Sequence, residues 1–498
     1  MDLKHIILQA KEKSKNIFDR ADYDYLENID AKGIAYDSRK VSSGYVFFAI
    51  KGYKDNGEKY IFDAVRNGAA AVVAPKDTAE KQKVNFPDTA FILVSNIRRA
   101  MALVSSVFYG EPENKIKCIG VTGTNGKTTI TYLIQHFLQK AGHKCGLIGT
   151  INYFSGNETR TSTLTTPDSI EIFSMLDEMV KSGIEYCVME VSSIALELDR
   201  VYGIKFEQGI FTNLTSEHLD LHKNMENYFN AKKILFDNMP KGAIAISNKD
   251  DIYGEKIISS QNLTKILYSI VKPSNYQANN IHLGIEGIKF NVSHEGIKYE
   301  MNSKLTGRFN VYNILAAIAS AVSIGIEIKD LQEYLKEFEP VNGRFNPVKL
   351  KNGAYAVIDY SHTSDSLKNA IFAAKEILTP ANGRKVITIF GCGGNKDVTK
   401  RPVMGKIASE YSDFAIVTSD NPRYEEPMDI IKQILQGMGG KKNYIVDENR
   451  EDAIKKGIEM SSEGDIILIC GKGHETYQEV KGVKSHFDDK EIVEKYNK

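Results

Sequence analysis

One short stretch of the chain has the residue types and spacing of a phosphate-binding loop. Residues 120–129 read Gly-Val-Thr-Gly-Thr-Asn-Gly-Lys-Thr-Thr, between an apolar run at 116–121 and an amphipathic run at 129–142. The first run predicts a buried strand and the second predicts a helix. Glycines let backbone N–H groups approach an anion at a helix N-terminus, Lys127 can reach terminal phosphates, and the Thr128 hydroxyl can ligate magnesium. The residues expected to bind ATP here are Gly123, Thr124, Asn125, Gly126, Lys127, Thr128 and Thr129.

The loop is a variant of the usual pattern GxxxxGK[ST], because Val121 occupies the position of the first glycine. The alternative interpretation is an ordinary glycine turn with a surface lysine at position 127. The Gly-Lys-Thr-Thr sequence stands where a helix is predicted to begin, as phosphate binding requires, so we favour the phosphate-binding interpretation.

Polar residues follow two further predicted strands. Glu190 ends the apolar run that begins at Tyr186, and His218 follows the run 209–213. The carboxyl ends of parallel strands meet at one edge of a sheet, where open α/β proteins bind ligands. Glu190 and His218 are therefore candidate metal ligands. The alternative, polar loop residues that cap a helix, stays open for each of them.

Two other positions are ambiguous from the local sequence. Asn310 and Asn313 lie about one turn apart where an apolar helix at 314–324 opens, and either could be a helix cap. Lys232 lies on a predicted helix after the His218 segment. Its neighbours alone indicate an ordinary solvated lysine.

The chain has 498 residues, a length typical of about three domains, and its strand and helix patterns divide it into three segments. Residues 1–111 carry short β-rich runs, 112–340 alternate strand and helix patterns, and 341–498 repeat that alternation. Runs at 288–292 and 297–301 interrupt the second segment and predict an antiparallel hairpin. We expect an α/β protein of three domains, with a central P-loop ATPase-like parallel sheet and a C-terminal Rossmann-like domain.

Composition excludes several classes of protein. The chain has 64 Lys and Arg against 64 Asp and Glu, so a nucleic-acid binder with a broad basic face is not expected. Its five cysteines show no CxxC zinc pattern and indicate reduced core thiols. The first residues lack the apolar core of a signal peptide, and no apolar run reaches membrane-spanning length. We therefore expect a cytoplasmic protein without a membrane partner.

Taken in chain order, several motifs together resemble those of the Mur ligase family of peptidoglycan synthesis. They are GTNGKTT, EVSS, TNLTxEHLD, the AK of the next helix, GxFNxxN, NGRF, DYxHTxDSL, GCGG, KRPxMG, DNPR and GKGHE. The likeness runs from about Asp37 to Glu475, and DNPR with GKGHE favours the branch that adds meso-diaminopimelate.

The resemblance implies roles for the ambiguous residues. Glu190, His218 and Lys232 would hold a second magnesium ion, with Lys232 carbamoylated by carbon dioxide, which reverses the local interpretation of that lysine. Together with Lys127 these are the expected catalytic residues. The ATP site would be completed by Asn310, Asn313, Arg344, Asp359 and His362. The UDP-linked substrate would contact Ser38, Thr165, Thr166, Ser192 and Arg200. The incoming amino acid would contact Lys396, Asp420, Asn421, Pro422, Arg423, Gly471 and Glu475.

The implied reaction is ATP-driven amide formation. A carboxylate of UDP-MurNAc-L-Ala-D-Glu would be phosphorylated, and the amine of meso-diaminopimelate would then attack it, with Mg²⁺ present and the enzyme a monomer. Lys396 departs from the arginine usual in this branch, and lysine cannot form the same planar clamp on a carboxylate. The alternatives are addition of L-lysine, a folylpolyglutamate synthase or a D-alanyl-D-alanine-adding ligase, and a nucleotide-gated binding protein without ligase activity.

Overall fold

The computed structural model describes residues 1–19, 23–52, 55–156, 158–217, 219–378 and 383–497. The first part forms a small parallel sheet in the order β1-β2-β3-β4. Its strands are β1 (Gly33–Ala35), β2 (Tyr45–Phe48), β3 (Ala69–Pro75) and β4 (Ala90–Val94), and its helices are α1 (Leu3–Lys13), α2 (Ile61–Arg66), α3 (Lys76–Lys83) and α4 (Ile97–Phe108). Asn96 begins α4, because its side chain accepts from the N–H groups of Arg98 and Arg99.

The central part is built on an 11-stranded sheet in the order β15-β14-β13-β12-β11-β10-β5-β9-β6-β7-β8. Its strands are β5 (Lys117–Thr122), β6 (Cys145–Ile148), β7 (Asn152–Phe154), β8 (Thr159–Thr161), β9 (Tyr186–Glu190), β10 (Phe206–Phe211), β11 (Ile244–Asn248), β12 (Thr264–Ser269), β13 (Tyr276–Gly284), β14 (Gly287–His294) and β15 (Ile297–Ser303). Its helices are α5 (Lys127–Lys140), α6 (Ser169–Lys181), α7 (Ser193–Glu197), α8 (Leu219–His222), α9 (Met225–Asp237), α10 (Gly254–Ile257), α11 (Arg308–Ile324) and α12 (Ile328–Glu337).

The middle of this sheet is parallel, from β13 across to β6, and both ends are antiparallel. The predicted hairpin is confirmed as β14 and β15. Apolar side chains of α5 and α11 pack on one face of the parallel strands, including Phe137 and Ile314. A second buried cluster that includes Phe173 and Phe236 covers the other face. The glycine loop therefore rests on a core that is packed on both sides.

The C-terminal part has a six-stranded sheet in the order β16-β17-β21-β18-β19-β20, in which only the β16–β17 pair is antiparallel. Its strands are β16 (Asn346–Lys349), β17 (Tyr355–Asp359), β18 (Val386–Phe390), β19 (Phe414–Val417), β20 (Tyr444–Val446) and β21 (Ile466–Cys470), with a separate hairpin of β22 (Tyr477–Val480) and β23 (Val483–His486). Its helices are α13 (Ser364–Ile377), α14 (Lys400–Tyr411), α15 (Pro427–Leu435), α16 (Arg450–Met460) and α17 (Asp489–Tyr496).

The α/β fold with parallel sheets agrees with the expectation from sequence. The boundaries predicted after residues 111 and 340 fall between the strands of different sheets, and the division into three domains at those points stays a prediction. All five cysteines are buried and free. No helix among the described residues is both long and apolar enough to cross a membrane.

Candidate active site

The glycine loop joins β5 to α5 in a shape that only glycine permits at two points. Gly126 has a φ of 90° immediately before α5, and a Cβ there would lie 2.4 Å from Oδ1 of Asn313. Gly123 has a φ of 146°, and its Cβ would lie 1.8 Å from Oγ1 of Thr212. Larger residues would therefore collide with neighbouring side chains as well as strain the backbone. The helix begins at Lys127, two residues earlier than the hydrophobic pattern predicted.

The residues that follow β10 hold this loop from the side. The backbone N–H of Asn125 donates to Oδ1 of Asn213 at 3.0 Å, and Oγ1 of Thr212 donates to the carbonyl of Asn125 at 2.6 Å. The N–H of Thr124 donates to the carbonyl of Asn213 at 2.9 Å. The strand expected to reach residue 213 ends at Phe211, because the next two residues leave the sheet to bind the loop.

Two lysine amines meet at one carbonyl oxygen of the loop. Nζ of Lys127 donates to the carbonyl of Gly123 at 2.9 Å and to that of Thr124 at 2.8 Å. Nζ of Lys232 donates to the same Gly123 carbonyl at 2.8 Å. Lys232 is only 1% exposed, so the interpretation of it as a solvated lysine is wrong. The signal for its burial was its place one turn after Tyr228 on α9, on the same helix face.

The environment of the two amines lowers the pKa of both. Burial, together with the positive charge of Lys127, holds the pKa of Lys232 well below its usual value, although Glu217 opposes that shift. Burial also lowers the pKa of Lys127, against the attraction of Glu217 and Glu190. Lys232 is thus a buried amine with a lowered pKa beside a phosphate-binding loop.

Glu190 is held at the end of β9 with its carboxylate directed at the neighbouring loop. It is 1% exposed, and its oxygens accept from the N–H of Thr150 at 2.8 Å and from the Thr150 hydroxyl at 3.0 Å. A Cβ at Gly149 would lie 2.6 Å from Oε1 of Glu190. His218, the other predicted ligand, lies outside the described residues. Among the residues that are described, no group of three or more His, Cys, Asp or Glu side chains is placed to hold a metal ion.

The two asparagines at the start of α11 approach the loop from the opposite side to α9. Nδ2 of Asn313 donates to Oδ1 of Asn310 at 2.8 Å, and Nδ2 of Asn310 donates to the carbonyl of Thr306 at 2.7 Å. Asn313 also packs directly against Gly126. These contacts show more than helix capping, because they connect α11 to the glycine loop.

The C-terminal part also reaches the glycine loop. Nη2 of Arg344 donates to Oγ1 of Thr128 at 3.0 Å, and its guanidinium lies 4.8 Å from the centre of the Tyr360 ring. Oδ2 of Asp365, at the start of α13, accepts from the Asn125 amide at 3.3 Å and from the Thr215 hydroxyl at 2.8 Å. Residues of both large sheets therefore meet at the loop.

Asp359 and His362, predicted to bind ATP, are engaged by their own loop after β17. The Asp359 carboxylate accepts from the N–H groups of Phe345 at 2.8 Å and Ser361 at 2.9 Å, and burial raises its pKa. Nδ1 of His362 lies 2.9 Å from the carbonyl of Tyr360, and burial lowers the pKa of the imidazole. They shape the junction between β17 and α13, and their contact with a nucleotide stays a prediction.

The residues predicted to bind the UDP-linked substrate cluster beside Glu190, except for Ser38. Oγ1 of Thr166 donates to the carbonyl of Glu190 at 2.8 Å and accepts from the N–H of Ser192 at 3.1 Å. Nη1 of Arg200 donates to the carbonyl of Thr166 at 2.9 Å, and Oγ1 of Thr165 lies 3.2 Å from Oγ1 of Thr150. Thr166 is thus a buried structural link.

Ser38 lies elsewhere, in the first sheet region. It is 8% exposed at the start of a short 3-10 helix at Ser38–Lys40, and its carbonyl accepts from the Asn67 amide at 2.9 Å. Its predicted contact with a UDP group stays a prediction.

The predicted amino-acid site is a compact set of mutually paired polar groups after β19 and β21. Nδ2 of Asn421 donates to Oε2 of Glu475 at 2.7 Å. Nζ of Lys472 lies 3.3 Å from Oδ1 of Asn421 and 3.4 Å from Oε2 of Glu475. Burial and the nearby Asp420 raise the pKa of Glu475. A Cβ at Gly471 would lie 2.5 Å from Oδ2 of Asp420, so this glycine allows the close approach.

Arg423 lies beside this set, bound by its own neighbours. Its Nη1 donates to the carbonyl of Gly394 at 2.8 Å, and its Nε lies 3.4 Å from Oε2 of Glu479. Pro422 packs its carbonyl against Gly394, where a Cβ would lie 1.9 Å away. Lys396 is exposed.

Sequence reasoning missed several residues of these sites. They are Thr150, Glu217, Tyr228, Asp365 and Lys472. Asp365 lay inside the DYxHTxDSL motif, and Lys472 inside GKGHE, so the motifs carried a signal that was not assigned to these side chains. Glu217 likewise lay inside TNLTxEHLD. Thr150 stands in a loop whose partner Glu190 is 40 residues away in the chain, and no local pattern indicates it.

Comparison with known proteins decides the family. The model of the Mur ligase middle domain matches residues 121–321, that of the Mur ligase glutamate ligase domain matches 343–473, and that of the Mur ligase family catalytic domain matches 30–109. A UDP-N-acetylmuramoyl-L-alanyl-D-glutamate–2,6-diaminopimelate ligase of Clostridium botulinum is 46% identical over 93% of this chain and 94% of its own. The chain belongs to the Mur ligase family.

Other relatives of this Mur ligase agree in sequence and in fold. The diaminopimelate ligase of the same name from Clostridium tetani is 43% identical over 97% of this chain and 98% of its own. A solved structure of a UDP-N-acetylmuramoyl-L-alanyl-D-glutamate–2,6-diaminopimelate ligase superposes with a TM-score of 0.67 at 29% identity, covering 98% of both chains. The MurF ligase of Thermotoga maritima in complex with ADP has a TM-score of 0.64 at 18% identity, covering 95% of this chain and 98% of its own, which shows the shared fold.

Proposed function

We propose that this Mur ligase uses ATP to join meso-diaminopimelate to the D-glutamate of UDP-MurNAc-L-Ala-D-Glu. The observation that carries the proposal is the meeting of both large sheets at the glycine loop, where Arg344 and Asp365 of the C-terminal part contact Thr128 and Asn125. An amide ligase needs this arrangement, because the amine must reach a carboxylate that has just been phosphorylated. The names of the 46% and 43% identical relatives supply the substrates.

Lys127 and the loop backbone would hold the ATP phosphates. The Lys127 amine now donates to two loop carbonyls, and a phosphate oxygen would offer it a stronger, charged acceptor. Asn313 and Arg344 contact the loop, Asn310 bonds to Asn313, and Asp359 and His362 lie at the junction between β17 and α13. We assign all five to the nucleotide. Arg344 is close enough to Thr128 to place a positive charge beside the transferring phosphoryl group.

The donors around the loop fit magnesium held with help from a carbamate. Magnesium takes oxygen ligands, often one or two carboxylates together with substrate phosphates. Thr128 and Glu190 offer such oxygens, and we assign His218 and carbamoylated Lys232 as further ligands. When bound, the metal would neutralise charge on the phosphoryl group. Burial lowers the pKa of the Lys232 amine, which favours carbamate formation. In that step the nitrogen bonds to the carbon of CO₂, the π electrons of one C=O bond move onto its oxygen, and one proton leaves the nitrogen for solvent.

Residues of the chain then perform the remaining steps. Lys127 would neutralise the γ-phosphate as the D-glutamate carboxylate attacks it and ADP leaves. The amine of the amino acid would attack the resulting acyl phosphate and release inorganic phosphate. Asp365 and Arg344 would keep the C-terminal part against the loop, so that water is excluded from the acyl phosphate.

The Arg423 and Glu475 regions would select the amino acid. The far carboxylate of diaminopimelate can replace Glu479 as the partner of Arg423, and its ammonium group can bind Glu475. Lysine lacks that carboxylate, so its binding would offer Arg423 no new ion pair to replace the one with Glu479. We assign Lys396, Asp420, Asn421, Pro422 and Gly471 to the same site.

The other assignments complete this proposal. Thr165, Ser192 and Arg200 would face the sugar-dipeptide beside Glu190, and Ser38 the UDP group. Thr166 would act by holding Ser192 in place. The three domains would divide near residues 111 and 340, and the enzyme would act as a cytoplasmic monomer.

The proposal is tested by phosphate release from ATP with UDP-MurNAc-L-Ala-D-Glu and a panel of amino acids. We expect release only when both substrates are present, and a kcat/KM for meso-diaminopimelate roughly 10⁴-fold above that for L-lysine, the scale for a site that pairs a polar group the analogue lacks. Arg423→Ala should remove most of this preference. Arg384→Ala, an exposed arginine before β18, is the matched control. Equal values for the two amino acids would contradict the assignment, and ATP binding without turnover would indicate a binding protein.

A further inference from the structure

A buried histidine outside the assigned site connects two helices beside the glycine loop. His222 is 2% exposed; its Nδ1 lies 3.1 Å from Oε1 of Glu197 and its Nε2 lies 2.9 Å from Oγ of Ser193. An ionised carboxylate only accepts, so Nδ1–H donates to Glu197, and in a neutral ring Nε2 accepts from the Ser193 hydroxyl. The two hydrogen bonds therefore fix the tautomer and the plane of the ring.

The histidine ring supports the tyrosine that contacts Lys232. The rings of His222 and Tyr228 are stacked, with centroids 4.8 Å apart and an interplanar angle of 26°. The Tyr228 hydroxyl lies 3.2 Å from Oγ1 of Thr124 in the glycine loop, and Nζ of Lys232 lies 4.5 Å from the centre of its ring. Tyr228 is 1% exposed, so the ring closes one side of the space around the amine.

One of the helices that carry these residues also carries Lys232, and the other begins shortly after Glu190. Ser193 and Glu197 lie on α7, which begins three residues after Glu190, and Tyr228 lies one turn before Lys232 on α9. His222 touches both helices. A fixed ring at this position sets how far the Lys232 amine stands from the strand end that carries Glu190.

We propose that Glu197, His222 and Ser193 form a positioning unit that holds Tyr228 against Lys232 and thereby keeps the Lys232 amine where its carbamate forms. The inference rests on the proposed function, because it takes Lys232 as the carbamoylated residue. Serine, histidine and a carboxylate also form nucleophilic triads. Ser193 is 2% exposed, however, which leaves no room for an acyl substrate at its hydroxyl.

The test measures ligation in carbon-dioxide-depleted buffer with increasing bicarbonate. Removing a group that supports a metal ligand from behind commonly costs about 10–100-fold in affinity or activity. His222→Ala and Glu197→Ala should therefore raise the bicarbonate concentration that gives half-maximal kcat by about tenfold or more. The KM for diaminopimelate should stay unchanged, which a general loss of structure would not achieve. His222→Phe keeps a ring against Tyr228 and should shift the bicarbonate response less than His222→Ala.

The matched control is His136→Ala. His136 lies near the C-terminal end of α5, away from the glycine loop, and its Nε2 lies 2.8 Å from the carbonyl oxygen of Tyr334. It should keep the wild-type bicarbonate response. If His222→Ala fails to fold, Glu197→Ala decides, because the Glu197 side chain is 35% exposed and its loss keeps the imidazole in the core but removes the acceptor that orients it. A bicarbonate-dependent wild type with unshifted variants would overturn this inference alone. A wild type that does not ligate, or that ignores bicarbonate, would overturn the proposed function or its carbamate, and this inference with it.

Discussion

Around the glycine loop two lysine amines donate to one carbonyl oxygen. The amino-acid cluster, formed by Asn421, Arg423, Lys472, Glu475 and Glu479, differs because its charged side chains lie beside groups of opposite charge or neutral partners. Lys127 and Lys232 both donate to Gly123, and burial lowers the pKa of both amines. In the second region Lys472 lies 3.4 Å from Glu475, and Arg423 lies 3.4 Å from Glu479. The first region thus gathers groups that gain from an added anion, and the second is already internally paired.

The difference bears on how each region binds its ligand. A phosphate would bring negative charge to the Lys127 amine, which donates to the carbonyls of Gly123 and Thr124, so binding there would give this amine a charged acceptor. An amino acid at the second region must replace existing pairs, and it gains only if it restores every interaction that it breaks. We infer that the glycine loop supplies catalytic power and the amino-acid cluster supplies selectivity.

Of the variants that test this comparison, Lys232→Ala is expected to cause the largest loss of ligase activity. The change would remove the proposed carbamate and with it a proposed metal ligand, and a catalytic metal contributes several kcal/mol, so ligation should fall by about 10³-fold or more. Short carboxylates added to the assay should restore part of the activity. Mass analysis of the native protein should show the added CO₂ on Lys232.

The matched control for that experiment is Lys233→Ala, because Lys233 is the next residue on α9 and pairs with Asp237 instead of the loop. Its activity should be close to that of the wild type. A fully active Lys232→Ala variant would mean that Lys232 has only a structural role. The inference that the glycine loop supplies catalytic power through this amine would then be wrong.

Lys127→Ala should come next, with a loss of ligation on the order of a hundredfold or more, the scale for removing one positioned electrostatic stabiliser. The protein should stay folded, because the variant removes a half-buried amine and leaves the glycine turn unchanged. Steady-state kinetics on the purified variant measure the loss. Lys140→Ala, on the last turn of the same helix and paired with Glu337, provides the comparison. Near-normal turnover by the Lys127 variant would refute the phosphate assignment.

A smaller loss of activity is expected from Asp365→Ala, which removes two of the hydrogen bonds that Asp365 makes at the glycine loop and at Thr215. Hydrogen bonds to a charged group contribute roughly 1.5–3 kcal/mol when buried, and the partly exposed contacts of Asp365 should give less, so kcat/KM for ATP should fall by about tenfold. The preference for diaminopimelate over lysine should persist. Asp429→Ala, which breaks an exposed pair with Lys432, should change neither value. A loss of selectivity instead of ATP turnover would show that the two regions are not separable.

The glycine loop, the strands β5, β9 and β10 and the hairpin of β14 and β15 were predictable from sequence, because each depends on a local pattern. Glycine spacing and a helix start predicted the phosphate-binding turn around Lys127, and apolar runs predicted the three parallel strands. The short strands β7 and β8, at the edge of the central sheet, escaped because three residues are too few to show a period.

Side-chain environment was less accessible from sequence. Nothing in residues 228–236 shows that the Lys232 amine donates to a carbonyl 109 residues away in the chain. Asp365 likewise finds its loop partner 240 residues away. Such contacts depend on the packing of whole sheets, and only the resemblance to a family pointed to Lys232 at all.

The smallest effect, and the most direct measure of the contrast, concerns how stability depends on pH. The buried Lys232 amine has a lowered pKa, so between that pKa and its ordinary value near 10.5 the unfolded state binds more protons than the folded state. Its contribution to the free energy of unfolding therefore rises with pH. Glu475 has a raised pKa, so just above its ordinary value of 4.5 the folded state binds more protons, and its contribution falls as pH rises.

The two regions should therefore respond to pH with opposite signs. Lys232→Met, measured in carbon-dioxide-depleted buffer, should flatten the alkaline rise in stability, and Glu475→Gln should flatten the acidic decline. Urea unfolding at a series of pH values from about 4.5 to 10 gives both slopes from one method. The exposed Glu448→Gln should leave the acidic slope unchanged. If Glu475→Gln steepened the decline, Lys472 and Asn421 would stabilise the Glu475 carboxylate by more than burial destabilises it. The hydrogen bonds and ion pairs of the amino-acid cluster would then be stronger than the raised pKa of Glu475 indicates.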